Sequence, residues 1–246
     1  MQFARALVLF AHPDDAEFGF GGTVARWAGE GTEVHYVCAT DGSAGSNTPS
    51  EDRDFMRPIR AREMEAAAGV LGVTSLTFLG FTDGELQCDL DLRRAVTREV
   101  RRQRPDVIVS TDPARLWNKG RDYVNHPDHK AIGEAALCAV MPDSPTRVQF
   151  EELLDEGFEP FEVPNLWLGS EEADTYVDIT ETIDVKLKAL AAHESQVKNM
   201  PFEDWIRRRA AELGAVAGME YAEGFRTFSF DRDRSRPDDA GDSEQA

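Results

Sequence analysis

The chain has 246 residues, 41% of them apolar, enough for one sizeable α/β core or two small ones. Its formal charge of −19 argues against nucleic acid or an anionic membrane surface as the main partner. Cys38, Cys88 and Cys138 make neither a disulfide framework nor a CxxC knuckle, and no apolar run suits a signal peptide or a membrane span, so a cytoplasmic protein is expected.

Residues 5–11 are a near-continuous apolar run, the pattern of a strand buried on both faces. It stops at His12-Pro13-Asp14-Asp15, where Pro13 cannot donate to a ladder and disfavours helix at the residue before it. An imidazole and two carboxylates at a strand end fit a metal or acid–base site. They equally fit a capped turn, with Asp14 or Asp15 as N-cap of a helix from about Glu17 to Ala28. Glu17 then needs no function beyond that of an acid in a first helical turn, or it braces the metal loop. Gly19, Gly21 and Gly22 mark a stretch where the backbone passes close to something.

Residues 33–40 (EVHYVCAT) form a second strand, and the polar stretch 41–57 is a lid or a disordered loop. Pro58 suits a first helical position, with Ile59, Met64, Ala67 and Leu71 on one face. Residues 75–79 are a third strand leading into the turn at Asp83-Gly84. Leu92, Val96 and Val100 then stripe a helix. Arg93, Arg94, Arg98, Arg101 and Arg102 on it read as a solvated face, because Asp89, Asp91 and Glu99 lie among them. Residues 106–111 are a fourth strand. A second cluster, Asn125-His126-Pro127-Asp128-His129, opens the next helix with Pro127 as its first residue. Short strands near 165–168 and 175–179 follow, with helices from about Glu181 and Phe202. Residues 231–246 lack apolar periodicity and read as a disordered acidic tail after a single domain spanning 1–230.

Strand–helix alternation implies an α/β fold with a mostly parallel sheet and helices on both faces. In doubly wound orders, strands one and four, or one and three, lie side by side, and a crevice opens at their carboxyl ends. His12, Asp14 and Asp15 reach that crevice from the first strand, and His126, Asp128 and His129 reach it from the fourth. Carboxylates packed so closely call for a cation, and imidazole ligands favour zinc or another transition metal over calcium or magnesium. Two His, one carboxylate and an open position describe a catalytic zinc site.

AHPDD followed by GFGGT, and later NHPDHKAIG, resemble the motifs of the LmbE-like (PIG-L) family of zinc-dependent N-deacetylases. The similarity extends to Arg60 and Glu63 before AAGVLGV, to LGFTDGEL, to KALAAHESQ at 188–196 and to YAEGFR, covering most of residues 5–227. The resemblance implies a Rossmann-like fold with one divalent ion, zinc or else iron(II), on His12, Asp15 and His129. It implies Asp14 as general base and His126 at the developing oxyanion, with Asp128 behind it; on chemical grounds a protonated His126 is expected to donate there, its charge supported by Asp128. It also implies Arg60, Asp83 and His193 near an N-acyl, in particular N-acetyl, amino-sugar substrate. Association into a homo-oligomer stays open.

Two other readings stand beside it. The same residue types fit the two-His-one-carboxylate triad of a non-haem iron oxygenase, although long helices alternating with strands count against a jelly roll. A non-catalytic Rossmann-type binding module is the second, although GFGG is not GxGxxG and an HPDD loop would repel a pyrophosphate.

Overall fold

The computed structural model describes residues 2–118, 122–170 and 172–230; the expected acidic tail lies outside the described residues. The chain runs β1 (Arg5–Phe10), α1 (Asp15–Gly29), β2 (Glu33–Thr40), α2 (Arg53–Leu71), β3 (Ser75–Phe81), α3 (Leu90–Gln103) and β4 (Val107–Thr111). A hairpin of β5 (Trp117–Asn118) and β6 (Tyr123–Val124) precedes α4 (Pro127–Cys138) and the short α5 (Glu152–Asp155). Next come β7 (Asn165–Gly169), β8 (Thr175–Asp178), α6 (Ile183–Ala191), α7 (Glu194–Val197), α8 (Phe202–Ala217) and β9 (Ala222–Ser229). The main sheet has the order β3-β2-β1-β4-β7-β9-β8. The first five of these strands are parallel, and β9 runs antiparallel to both β7 and β8. This is the expected mostly parallel, Rossmann-like sheet. No helix among the described residues is long and apolar enough to cross a membrane.

The continuous apolar run of β1 is explained by its two packed faces. Val8 and Phe10 join Tyr36, Trp27, Trp167 and Phe225 beneath α1 and α6, while Leu7 and Leu9 join Val37, Ile108, Ile132 and Leu168 beneath α3 and α4. Strand β1 pairs with β2 on one side and β4 on the other, so the connections leaving β1 and β4 go to opposite faces and open the crevice between them. That adjacency brings the two histidine clusters together.

Several boundaries differ from expectation for local reasons. Helix α2 starts at Arg53, not Pro58, because the Asp52 carboxylate caps it by accepting from Phe55 N at 2.9 Å. Pro58 is absorbed in its second turn, and the polar stretch before it shortens. Helix α1 starts two residues earlier than expected, at Asp15. Strand β9 has no counterpart among the elements expected from the sequence. The arginines of α3 are not uniformly solvated. Arg101 is 2% exposed and donates to the carbonyls of Asp143, Ser144, Thr146 and Gln149, while Arg93 grips the buried Asp143 carboxylate at 2.7 and 2.9 Å. These bonds tie the 143–149 turn to α3.

The glycines after the first turn of α1 have separate uses. A Cβ on Gly22 would sit 2.7 Å from the Ile179 side chain, and one on Gly21 would sit 3.2 Å from Lys186 Cγ, so their bareness lets α6 and the segment leading into it approach α1. Two buried side chains then engage one rung of the helix. Gly22 N and Thr23 N, mid-helix donors, give 3.0 and 2.7 Å bonds to the Glu223 carboxylate, while Phe18 O accepts from Lys186 Nζ at 3.0 Å. Lys186 and Glu223 themselves pair at 2.5 Å. Removing one partner of a buried pair leaves the other charge uncompensated. Glu223→Ala is therefore expected to lower stability by about 3–5 kcal/mol, measured by denaturant unfolding, and a loss below about 1 kcal/mol would mean that the buried Lys186–Glu223 pair does not anchor α1.

Candidate active site and metal centre

The turn after β1 is built around one unusual residue. Asp14 has φ 111° and ψ −27°, a conformation that ordinary L-residues rarely adopt, and its carboxylate makes no capping bond to α1. The capped-turn reading therefore fails. Asp15 N donates to His12 O at 3.2 Å, and the Asp15 carboxylate folds back to accept from His12 N at 2.8 Å. Both acids are thereby presented to the crevice.

His12, 8% exposed, is the hub. Its Nε2 lies 3.1 Å from Asp128 Oδ2 and 3.2 Å from Asp83 Oδ1, two acceptors that fix a proton on that nitrogen. Its Nδ1 lies 3.3 Å from Asp15 Oδ2. Burial alone would depress the imidazole, but Asp15, Asp128 and Asp83 together push it up to about 12. Burial likewise opposes ionisation of Asp83 and Asp128, yet the bond to His12, a backbone N–H donor to each and the His12 charge together hold both below the usual carboxylate range. The cluster demands positive charge.

His129 supplies the third corner. Its Nδ1 lies 3.0 Å from Asn125 Oδ1, and Asn125 Nδ2 donates to Arg115 O at 2.7 Å, which orients the amide. So pinned, His129 turns its Nε2 toward Asp15 Oδ1, 3.0 Å away. Burial would raise Asp15, but His129 and His12 hold it well below its ordinary value. Ligand atoms of His12, Asp15 and His129 all fall within 4.8 Å of one another, so this group can hold a metal ion. A second group, His12, Asp83, His126 and Asp128, meets the same distance. Its lone pairs are already taken: Asp128 accepts from Gly84 N and Leu86 N at 2.8 and 3.3 Å, Asp83 from Ala44 N at 2.9 Å, and His126 Nδ1 from Asp128 N at 3.2 Å. The first group fits an ion better, and the second supports it from behind, as carboxylates behind metal-bound histidines commonly do.

His126 is the N-cap of α4, its ring centroid 4.6 Å from that of His12. Burial, then the neighbouring His12 charge, depresses it, so it is neutral near pH 7 rather than protonated as expected. Accepting at Nδ1 leaves the N–H on Nε2, so the donor survives without the charge. Asp128 also departs from expectation: its carboxylate serves His12 and stands 3.8 Å from His126 Nδ1.

Asp14 lies beside this centre with a 3.1 Å contact to Arg60 Nη2. Burial raises its carboxyl, Arg60 opposes, Asp15 adds to the rise, and the balance falls at about 7. The three residues expected near substrate are placed otherwise. Arg60, 3% exposed, donates to Asp14, to Pro13 O and to Gly42 O. Asp83, 5% exposed, is spent on His12 and Ala44 N. His193 is fully buried, with Nε2 3.1 Å from the equally buried Glu17 Oε2, because α7 packs it under α1. It cannot touch a ligand there. Glu17, the doubtful brace, is thus half of a buried pair beneath the metal turn. Asn125, which no sequence argument singled out, is signalled only by its place at the head of the HPDH segment.

The family model described as PIG-L, GlcNAc-PI de-N-acetylase, matches residues 7–140. Diacetylchitobiose deacetylase of Thermococcus kodakarensis is 30% identical over 226 residues, covering 90% of this chain and 82% of that protein. A probable N-acetyl-alpha-D-glucosaminyl L-malate deacetylase 2 of Bacillus cereus is 32% identical over 202 residues, covering 80% and 85%. The structure of N,N'-diacetylchitobiose deacetylase from Pyrococcus horikoshii, complexed with its inhibitor MPG, superposes with a TM-score of 0.85 at 32% identity over 92% of this chain and 84% of its own. Fold, site and relatives agree, and the chain belongs to the PIG-L (LmbE-like) family of deacetylases.

Proposed function

We propose that this protein is a zinc-dependent hydrolase that removes the N-acetyl group from an amino-sugar conjugate. The observation that carries the reading is the convergence of His12 Nδ1, Asp15 and His129 Nε2 beside an unliganded carboxylate, Asp14. The names of the relatives supply the substrate class, since they act on acetylated glucosamine derivatives. Two imidazoles and one carboxylate are a donor set suited to zinc. When bound there, the ion polarises the acyl oxygen and lowers the pKa of water from 15.7 to about 7.

The chain's own groups do the rest. Asp14, poised near neutrality and set beside the ligands, takes the proton of the attacking water and returns it to the amide nitrogen as that bond breaks. Arg60 holds the Asp14 carboxylate in place. His126, neutral with its proton on Nε2, donates to the oxyanion that develops on the acyl carbon. Asp128 and Asp83 fix the tautomer and tilt of His12, so its Nδ1 stays aimed at Asp15. The free thiols of Cys38, Cys88 and Cys138 suit a reducing, cytoplasmic setting.

Asp14→Asn, whose amide tolerates the same backbone, is expected to retain metal and to lose about 10²- to 10⁴-fold in kcat for acetate release. Near-normal turnover with full metal content would reject Asp14 as the base. Asp128→Asn is expected to weaken metal affinity by about 10- to 100-fold through a misoriented His12, read by competition with a chromogenic chelator. Elemental analysis should find one zinc per chain, chelation should abolish acetate release and zinc should restore it. Oxygen uptake restored by iron(II) alone would support the oxygenase reading instead.

A further inference from the structure

A closed ring of hydrogen bonds runs through Arg60, and the mechanism above uses none of it beyond the guanidinium. Arg60 and Glu63 stand one turn apart on the same face of α2. The Glu63 carboxylate accepts from Ser195 N and Ser195 Oγ at 2.7 and 2.6 Å, which fastens α7 to α2. With its proton so engaged, the Ser195 hydroxyl accepts from Gln196 Nε2 at 2.9 Å, and the same amide nitrogen donates to Gly45 O at 3.2 Å. Gly45 N donates to Gly42 O at 3.3 Å, and Gly42 O accepts from Arg60 Nη1 at 3.3 Å. The ring thus returns to the side chain that holds Asp14.

Its tightest point is the 42–45 turn. A Cβ on Gly45 would collide with Arg60 Nη1 and would meet the Gln196 amide at 3.0 Å, so the turn lies on the guanidinium with that amide against it. A Cβ on Gly42 would sit 2.9 Å from Pro13 Cδ, which seats the same turn on the HPDD segment. Ala44 N and Ser43 Oγ tie its other side to Asp83 and Arg53, and Gln196 ties it from α7.

Resting on the deacetylase reading, we propose that Gln196, set in place by Ser195 and Glu63, is a positioning residue for the general base: it holds the 42–45 turn on Arg60, and Arg60 in consequence keeps the Asp14 carboxylate where the attacking water must sit. A base acts only within hydrogen-bond reach of the proton it takes, so drift of the guanidinium is felt in the chemical step. Ligation of the ion is spared, because His12 Nε2 is held by Asp128 as well as by Asp83.

Gln196→Met keeps the length of the side chain and removes the donor. In the zinc-loaded enzyme, with N,N'-diacetylchitobiose as probe, it is expected to lower kcat about 10- to 100-fold while KM, zinc content and melting temperature stay as in wild type. Gly45→Ala, which displaces the guanidinium directly, is expected to give the same pattern. In an Arg60→Ala background, Gln196→Met is expected to cost at most about twofold more, since the residue it acts through is gone. Wild-type kcat in Gln196→Met, the full loss repeated in the Arg60→Ala background, or a fall in melting temperature with KM and kcat both altered would overturn the proposal. A second readout needs no turnover. With nitrogen-15-labelled arginine, the Arg60 Nη protons are expected to exchange with water at least about tenfold faster in Gln196→Met than in wild type, and equal rates would overturn the proposal whether or not chitobiose is a substrate. Faster exchange in the variant, together with no acetate release by wild type, would reject the deacetylase reading on this sugar and uphold the hold of Gln196 on Arg60.

Discussion

The structure depends on one imidazole held between carboxylates from three separate segments. His12 ends the central strand, Asp83 follows β3, Asp128 opens α4, and Asp15 begins α1. Each acid alone would resist burial, and together they resist it more strongly. What makes the assembly tolerable is division of labour around the ring. Asp83 and Asp128 receive backbone N–H groups and the Nε2 proton, so their charge is settled within the protein. Asp15 and His129 are left facing each other and the other ring nitrogen, and their demand for a cation falls at the mouth of the crevice. The second ring of acids is what turns the first into a metal site.

Helix α1 carries the same logic into the packing. Its first turn bears Asp15, yet the helix is crowded by α6 on the face where Gly21 and Gly22 lie. Lys186 and Glu223 occupy a rung between Phe18 O and Gly22 N, so the turn that holds a metal ligand is anchored by side chains from α6 and β9. Beneath it the Glu17–His193 pair fills the space between α1 and α7 with buried polar groups. Among the described residues, the last quarter of the chain contributes none to the metal centre, but it stiffens the segment that does.

What could be read from the sequence follows the same division. The apolar continuity of β1 and the alternation of strands and helices are local patterns, and with the rule for doubly wound sheets they suffice to bring His12, Asp15 and His129 together. Residues whose role is set by remote partners were opaque. Arg101 sits among acids on an apparently solvated helix, and only the 143–149 turn folding over it makes it a buried anchor. Arg60 and His193 were expected at the substrate because the resemblance puts them near the cleft. Near the cleft they are, but as Asp14's counterion and as the partner of Glu17. Pro58 misled for the opposite reason: a strong local signal was overridden by a better cap at Asp52. Period and punctuation locate strands; they do not say which side of a helix a later segment will cover.

Asp14 shows why the site tolerates a strained backbone. Neighbouring residues in an extended or regular helical chain direct their side chains apart, yet a base and a ligand must address the same small volume. A positive φ at Asp14 reverses the chain in one step and turns both carboxylates inward, at a price of about 1–3 kcal/mol for a residue with a Cβ. Glycine would relieve the strain but would carry no base. The surrounding bonds over-determine the turn: Phe18 N donates to Asp14 O at 3.0 Å, and Arg60 clasps both Pro13 O and the Asp14 carboxylate. Arg60 in turn is roofed by Gly45, where an added Cβ would lie 2.3 Å from Nη1. The same arginine that fixes the geometry also opposes the rise that burial imposes on the carboxyl, so the constraint that positions the base also tunes its affinity for the proton.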